Sequence, residues 1–177
     1  HTLQQRDIQP KAGYKEKLRF NWNAPIHLSP SERGTIYLGS QFLHRSRDQG
    51  QTWERISPDL TTNDAAKQQQ EKSGGITVDN SAAEMHTTIY SISASPQDGG
   101  VIWVGTDDGN VHVTRDGGGV WSDVTPAGLP EWGTVESIEI SGVRGGRVRD
   151  LSTTLRPGEV LGVTGTIPGA LRGGYLR

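Results

Sequence analysis

The feature that most limits what this chain can fold into is a repeat. IHLSPSERGTIYLGSQFLHRSRDQGQTW, residues 26–53, aligns with ISASPQDGGVIWVGTDDGNVHVTRDGGGVW, residues 92–121. Pro30 pairs with Pro96, Tyr37 with Trp103, Gly39 with Gly105 and His44 with His112. Asp48 pairs with Asp116 and Trp53 with Trp121, given a two-residue insertion near Asp107 and Asp108. Self-similarity of this kind marks one supersecondary unit used twice, and such a unit buries its apolar face only against a neighbour.

Each copy reads as four short strands. In the first they fall at 20–28, 35–40, 42–46 and 52–57; in the second at 86–95, 101–106, 110–115 and 121–125. Alternation at Ile36/Leu38 and Ile102/Val104 marks half-buried strands. Asp107-Asp108-Gly109-Asn110 supplies a tight hairpin turn. With 24 Gly, 9 Pro and only 32% hydrophobic residues among 177, the chain suits short strands and many turns. The fold class is therefore all-β: two four-stranded meanders of the β-propeller blade type and a short β-rich C-terminal extension. The chain divides into an N-terminal extension (1–18), a first blade (19–60), an insertion (61–80), a second blade (81–132) and a tail with a flexible end (133–177). Within the insertion, TTNDAAKQQQEKS reads either as a short helix, with Asp64 as its cap, or as a mobile insertion between blades.

Between the third and fourth strands of each copy stand SRDQGQTW (46–53) and TRDGGGVW (114–121). An aspartate there can accept hydrogen bonds from turn N–H groups. Gly50 and Gly118 permit positive φ, and Trp53 and Trp121 pack inward at the start of the next strand. The pattern resembles the Asp-box, or bacterial neuraminidase repeat. That resemblance implies a structural turn away from any active site, with no chemistry at Asp48 or Asp116. The wider stretch 11–132, including KLRFNWNAPIHLSP and SGGITVDNSAAEMHTTIYSIS, resembles bacterial sortilin-like, glycosyl-hydrolase-like propeller proteins. Those are usually secreted and many-bladed. Two blades cannot close a ring, so the resemblance implies a fragment. Such a fragment associates with copies of itself or covers its open sides with its own tail.

After Trp132 the character changes. VESIEISGVRGGRVRDLSTTLRPGEVLGVTG (135–165) resembles the opening strands of the ATP-binding subunit of a bacterial sugar importer. The phosphate loop of that family is missing, since TGTIPGALRGGYLR holds no G-K-[ST], and no nucleotide is expected. The junction reads as a chimera, of the kind cloned environmental DNA yields. Tail strands are expected at 135–141, 147–155 and 159–164, pairing with an exposed blade edge.

A net charge of -2 supplies no basic surface for nucleic acid or anionic membrane, and no apolar run reaches spanning length. The absence of cysteine excludes disulfides and thiolate chemistry. Glu84 and His86 are two apart, so on an extended chain they face the same way. A carboxylate and an imidazole can ligate a divalent metal such as Zn²⁺, but two ligands are too few. His27, His44, Asp79 or a residue from a second chain would have to complete the set. One reading is thus a metal-assisted hydrolase of esters or phosphoesters, with Glu84 or Asp79 as base. For glycoside hydrolysis the carboxylate pair would be Glu84 with Asp79 or Glu71. The other reading is a binding or scaffold module for sugar or peptide, without turnover. Trp22, Trp103, Tyr37 and Tyr90 could stack on sugars, although aromatics at strand positions more often fill the core.

Overall fold

The structure, a computed structural model, describes residues 5–11, 16–69, 85–129 and 133–140, and the backbone of 161–166. The first meander runs β1 (Ile26–Leu28), β2 (Ile36–Gly39), β3 (Leu43–Ser46) and β4 (Glu54–Arg55), neighbours in that order. The second runs β5 (Ile89–Ala94), β6 (Ile102–Thr106), β7 (Val111–Thr114) and β8 (Trp121–Asp123). All pairings are antiparallel. The only helix among the described residues is a 3-10 turn, Ala65–Gln68, whose Asp64 cap accepts from the Ala66 N–H. The molecule is all-β, built of two blade-type sheets.

Several strands are shorter than the sequence pattern suggests, for local reasons. β1 starts at Ile26 because Asn21–Ala24 forms a turn, closed by the Ala24 N–H donating to the Asn21 carbonyl at 3.0 Å. The outer strands end early because a hydroxyl replaces a ladder carbonyl. The Leu43 N–H donates to Ser57 Oγ at 2.8 Å and the Val111 N–H to Thr125 Oγ1 at 2.9 Å.

The core lies between stacked sheets. Tyr37, Leu43, Ile56 and Leu60 of the first meander pack on Ile89, Ile92, Ala94, Ile102 and Val104 of the second. Full burial of each large apolar side chain stabilises by about 1.5–3 kcal/mol. The far face of the second meander, with Val101, Trp103, Val111 and Val113, is covered by Val135 and Ile138. These belong to β9 (Thr134–Ile140), which pairs with β10 (Leu161–Thr166) in a separate two-stranded sheet.

The sequence reading placed the tail at a blade edge, and the structure corrects this. β9 stacks on a face, because the exposed apolar surface of the second meander is a face. Its seat repeats the inter-blade contact. A Cβ at Gly39 would stand 2.7 Å from Ile89 Cγ2, while one at Gly105 would overlap Val135 Cγ1. So β9 rests on the second meander as β5 rests on the first. The stretch 147–155 lies outside the described residues.

Among the described residues, the opposite face of the first meander has no such cover. Ile26 and Leu28 pair with Leu38 and Ile36, as Ile92 and Ala94 pair with Val104 and Ile102. Yet Ile26 and Leu28 are 60% and 70% exposed, while Ile92 and Ala94 are 8% and 5% exposed.

Candidate functional site

Each meander has two ends. Ile89 pairs with Thr106, so the entry to β5 lies beside the β6–β7 hairpin, at what is here called the entry end. Ile36 pairs with Ser46, which puts the Ser46–Trp53 and Thr114–Trp121 turns at the opposite, turn end.

At the turn end both aspartates are committed to their own turns. Ser46 Oγ donates to Asp48 Oδ1 at 2.8 Å and accepts the Gly50 N–H at 2.7 Å. The Thr52 N–H and hydroxyl donate to the Asp48 carboxylate at 2.8 and 2.7 Å. In the second turn, Thr114 Oγ1 donates to Asp116 Oδ1 at 2.8 Å and accepts the Gly118 N–H at 3.0 Å. The Val120 N–H donates to Asp116 Oδ1 at 3.0 Å. The Thr52 N–H and hydroxyl lead in holding Asp48 down to about 2, and the Val120 N–H leads in holding Asp116 below its ordinary value. Carboxylates held ionised by their own turns serve as clamps rather than proton donors. Gly50 and Gly118 sit at φ 85° and 111°, where a side chain would be strained.

The two indoles are half-buried, and each N–H reaches a carbonyl earlier in the chain. Trp53 Nε1 donates to Ile8 O at 2.7 Å, and Trp121 Nε1 to Ile56 O at 2.9 Å. These cover segments were not foreseen from the sequence.

The entry end gathers a polar cluster around Asp107 and Asp108, both 2% exposed. Asp107 accepts the Thr88 N–H at 2.8 Å, the Thr88 hydroxyl at 2.7 Å and Asn21 Nδ2 at 3.1 Å. Asp108 accepts the Thr62 N–H at 2.8 Å, the Thr62 hydroxyl at 2.7 Å and the Thr106 hydroxyl at 2.6 Å. His86 Nδ1 stands 3.7 Å from Asp107 Oδ1. Burial pushes the Asp107 carboxyl up, against the Thr88 donors and the His86 charge, which hold it down. Arg19 ties the cluster to the first meander. Its Nη2 meets Asp59 Oδ2 at 2.8 Å and its Nε donates to Thr87 O at 3.1 Å. Thr87 is fully buried at φ 60°, a strained conformation for a β-branched residue, and its hydroxyl has no hydrogen-bond partner among the described residues.

One aromatic stands out from this cluster. Trp22 is 74% exposed at the tip of the Asn21–Ala24 turn. The turn is pinned on both sides. Asn21 bonds Asp107, Asn21 Oδ1 accepts the Asn23 N–H at 3.0 Å, and Asn23 Nδ2 donates to the Tyr90 hydroxyl at 3.0 Å. By contrast Tyr37 and Trp103 are core residues.

The histidines singled out by sequence each have their own setting. His27 Nε2 accepts the Ala94 N–H at 3.3 Å. His44 Nε2 lies 2.8 Å from Ser40 Oγ, and burial, then Arg55, lowers it to about 4. Among the described residues, no three His, Cys, Asp or Glu gather so as to hold a metal ion. Glu84, Asp79 and Glu71 lie outside the described residues. Asp107, Asp108, Asn21 and Arg19 were not foreseen as site residues. The one signal for them was the insertion, which falls at Asp107-Asp108 in an otherwise matched repeat.

No family model matches the chain, and no curated protein does. Among solved structures it is similar to an ancestral GH74 enzyme, with 17% identity and a TM-score of 0.43 over 68% of this chain and 15% of that one. It is also similar to the GH74 xyloglucanase from Xanthomonas campestris, with 20% identity and a TM-score of 0.47 over 85% of this chain and 21% of that one. The chain thus spans about a fifth or less of the length of these enzymes.

Proposed function

We propose that the chain is a carbohydrate-directed binding module whose contact point is Trp22 at the entry end. The observation that carries this reading is the exposed indole on a turn anchored by Asn21 and Asn23. Exposing a tryptophan is costly in water unless something covers it. A rigid aromatic face beside a few polar groups is what an uncharged, ring-shaped polar ligand requires. The Tyr90 hydroxyl, the Asn23 amide and the half-buried His86 supply those groups. Asp107 and Asp108 serve this surface as fixed struts, since each carboxylate already accepts three hydrogen bonds. The test is titration of neutral oligosaccharides against tryptophan fluorescence. Saturable quenching is expected, abolished by Trp22→Ala at an unchanged melting temperature. A flat response across the panel, or undiminished binding by that variant, would sink the reading.

A hydrolytic reading is favoured by one observation, the His86 imidazole lying 3.7 Å from the buried Asp107 carboxylate. A half-buried histidine beside a carboxylate can act as a general base toward water. Its metal-assisted form needs Glu84 and Asp79 to complete a set that the described residues do not hold by themselves. Chelator-sensitive turnover of activated esters and phosphoesters, lost on His86→Ala, is the expected sign. We also read the exposed Ile26 and Leu28 as a surface for self-association.

A further inference from the structure

The contact at the turn end occurs twice, and the short sequence that makes it occurs three times. The sequences are Ile8-Gln9-Pro10, Ile56-Ser57-Pro58 and Val124-Thr125-Pro126. The last two are structurally equivalent. The Ile56 N–H donates to Leu43 O at 2.9 Å and the Val124 N–H to Val111 O at 2.8 Å. One residue on, Ser57 and Thr125 accept the Leu43 and Val111 N–H groups through their hydroxyls. The first two segments each cover a tryptophan turn. Ile8 O takes the Trp53 N–H, and a Cβ at Gly50 would stand 2.8 Å from Ile8 Cβ. Ile56 O takes the Trp121 N–H, and a Cβ at Gly118 would stand 2.5 Å from that same carbonyl oxygen. In both places a glycine allows the close approach and an indole N–H fastens it.

At Val124 no described indole fills that place. Trp22 stands out at the entry end, Trp103 is in the core, and Trp53 and Trp121 are engaged. Ile56 is 7% exposed under its turn, whereas its counterpart Val124 is only partly buried, at the border of the cluster that β9 covers. There, among the described residues, β9 and β10 form two strands where each meander has four. An added hairpin would therefore find both an edge to extend and a carbonyl to cap.

We propose that the strand end Val124–Pro126 is a docking site for a β-hairpin supplied by a partner, tipped with a Ser/Thr-x-Asp-x-Gly-x-x-Trp turn. The indole N–H donates to the Val124 carbonyl, and the glycine lies against the Val124 side chain. Recognition is by shape and one directed hydrogen bond, so the hairpin needs the tryptophan and the glycine and little else.

The probe is a synthetic hairpin with the sequence of residues 110–125, closed by an added terminal disulfide and shown by circular dichroism to be folded. It carries a dye and is titrated with the full chain in fluorescence anisotropy. Saturable binding is expected, weakened about tenfold or more in hairpins carrying Trp121→Ala or Gly118→Ala. Val124→Arg in the full chain should remove binding. If that variant does not fold, the paired hairpins decide the matter alone. The proposal is overturned if the folded hairpin does not bind, or if the Trp121→Ala hairpin binds equally well. It is overturned too if folded Val124→Arg protein binds normally. If the chain self-associates through Val124 and the hairpin cannot compete, a second copy is the occupant and the proposal falls.

Discussion

The two tryptophan turns share a design and differ in what lies over them. Around Asp116 the cover is Ile56, a core residue at the end of a strand in a packed sheet. Around Asp48 the cover is Ile8, in an N-terminal segment whose residues are mostly exposed. Equal motifs thus stand on unequal supports, so the cover, and not the turn alone, is expected to set how firmly each is held.

Truncating the indoles breaks this comparison most sharply. Trp121→Ala should cost about 2–3 kcal/mol in urea unfolding, since this half-buried indole packs against the core and donates to the Ile56 carbonyl. Trp53→Ala should cost about 1–2 kcal/mol, since its cover segment can peel away and recover water. Equal losses would mean that the two covers are equally firm. Alanine at the glycines is the next test. Gly118→Ala meets the Ile56 carbonyl at 2.5 Å and should lose about 2–3 kcal/mol. Gly50→Ala meets only the Ile8 side chain and should lose about 1 kcal/mol, chiefly from its positive φ.

Acid sharpens the contrast between the two copies of the repeat. His44 is lowered to about 4 in the folded chain, so between about 6.5 and 4 the unfolded state binds the proton first. Its contribution is complete above about 6.5 and is lost as pH falls toward about 4. His27 and His112 act in the same direction. Asp48, held to about 2, loses its share only below its ordinary value of 3.8. Asp107 runs the other way: its raised carboxyl favours the fold at low pH and loses that contribution as pH rises through its folded value. Denaturant midpoints should therefore fall from pH 7 to pH 5, and His44→Gln should flatten that fall. The smallest effect on stability belongs to Leu28→Lys, within about 0.5 kcal/mol for an exposed position. Sedimentation velocity tests the proposed self-association surface: this variant is expected to sediment as a smaller species than the unchanged chain, and equal sedimentation would overturn that assignment.

Much of the fold was legible because the repeat is legible. Pairing Tyr37 with Trp103 and Gly39 with Gly105 located the strands, and Asp48 and Asp116 located the turns, without any long-range information. The covers were not legible, since Ile-x-Pro is too short and too common to stand out. Nor was the stacking of β9, because alternate apolar residues do not say whether a strand joins an edge or lies on a face. The candidate site was the least legible part. Asn21 and Asp107 meet across 86 positions of chain, and what brings them together is the packing of two sheets. The sequence reading followed Glu84 and His86 instead, whose proximity is visible on the page. Of that pair His86 does reach the cluster, through a carboxylate that no spacing rule would have chosen.

The order of the covers along the chain bears on how the protein is made. Ile8 leaves the ribosome before Trp53, and Ile56 before Trp121, so each tryptophan emerges to find its acceptor already synthesised. Assembly can then proceed in the direction of translation, one clasp at a time. Moving residues 5–11 to the C-terminus would make the first clasp wait for the last residue.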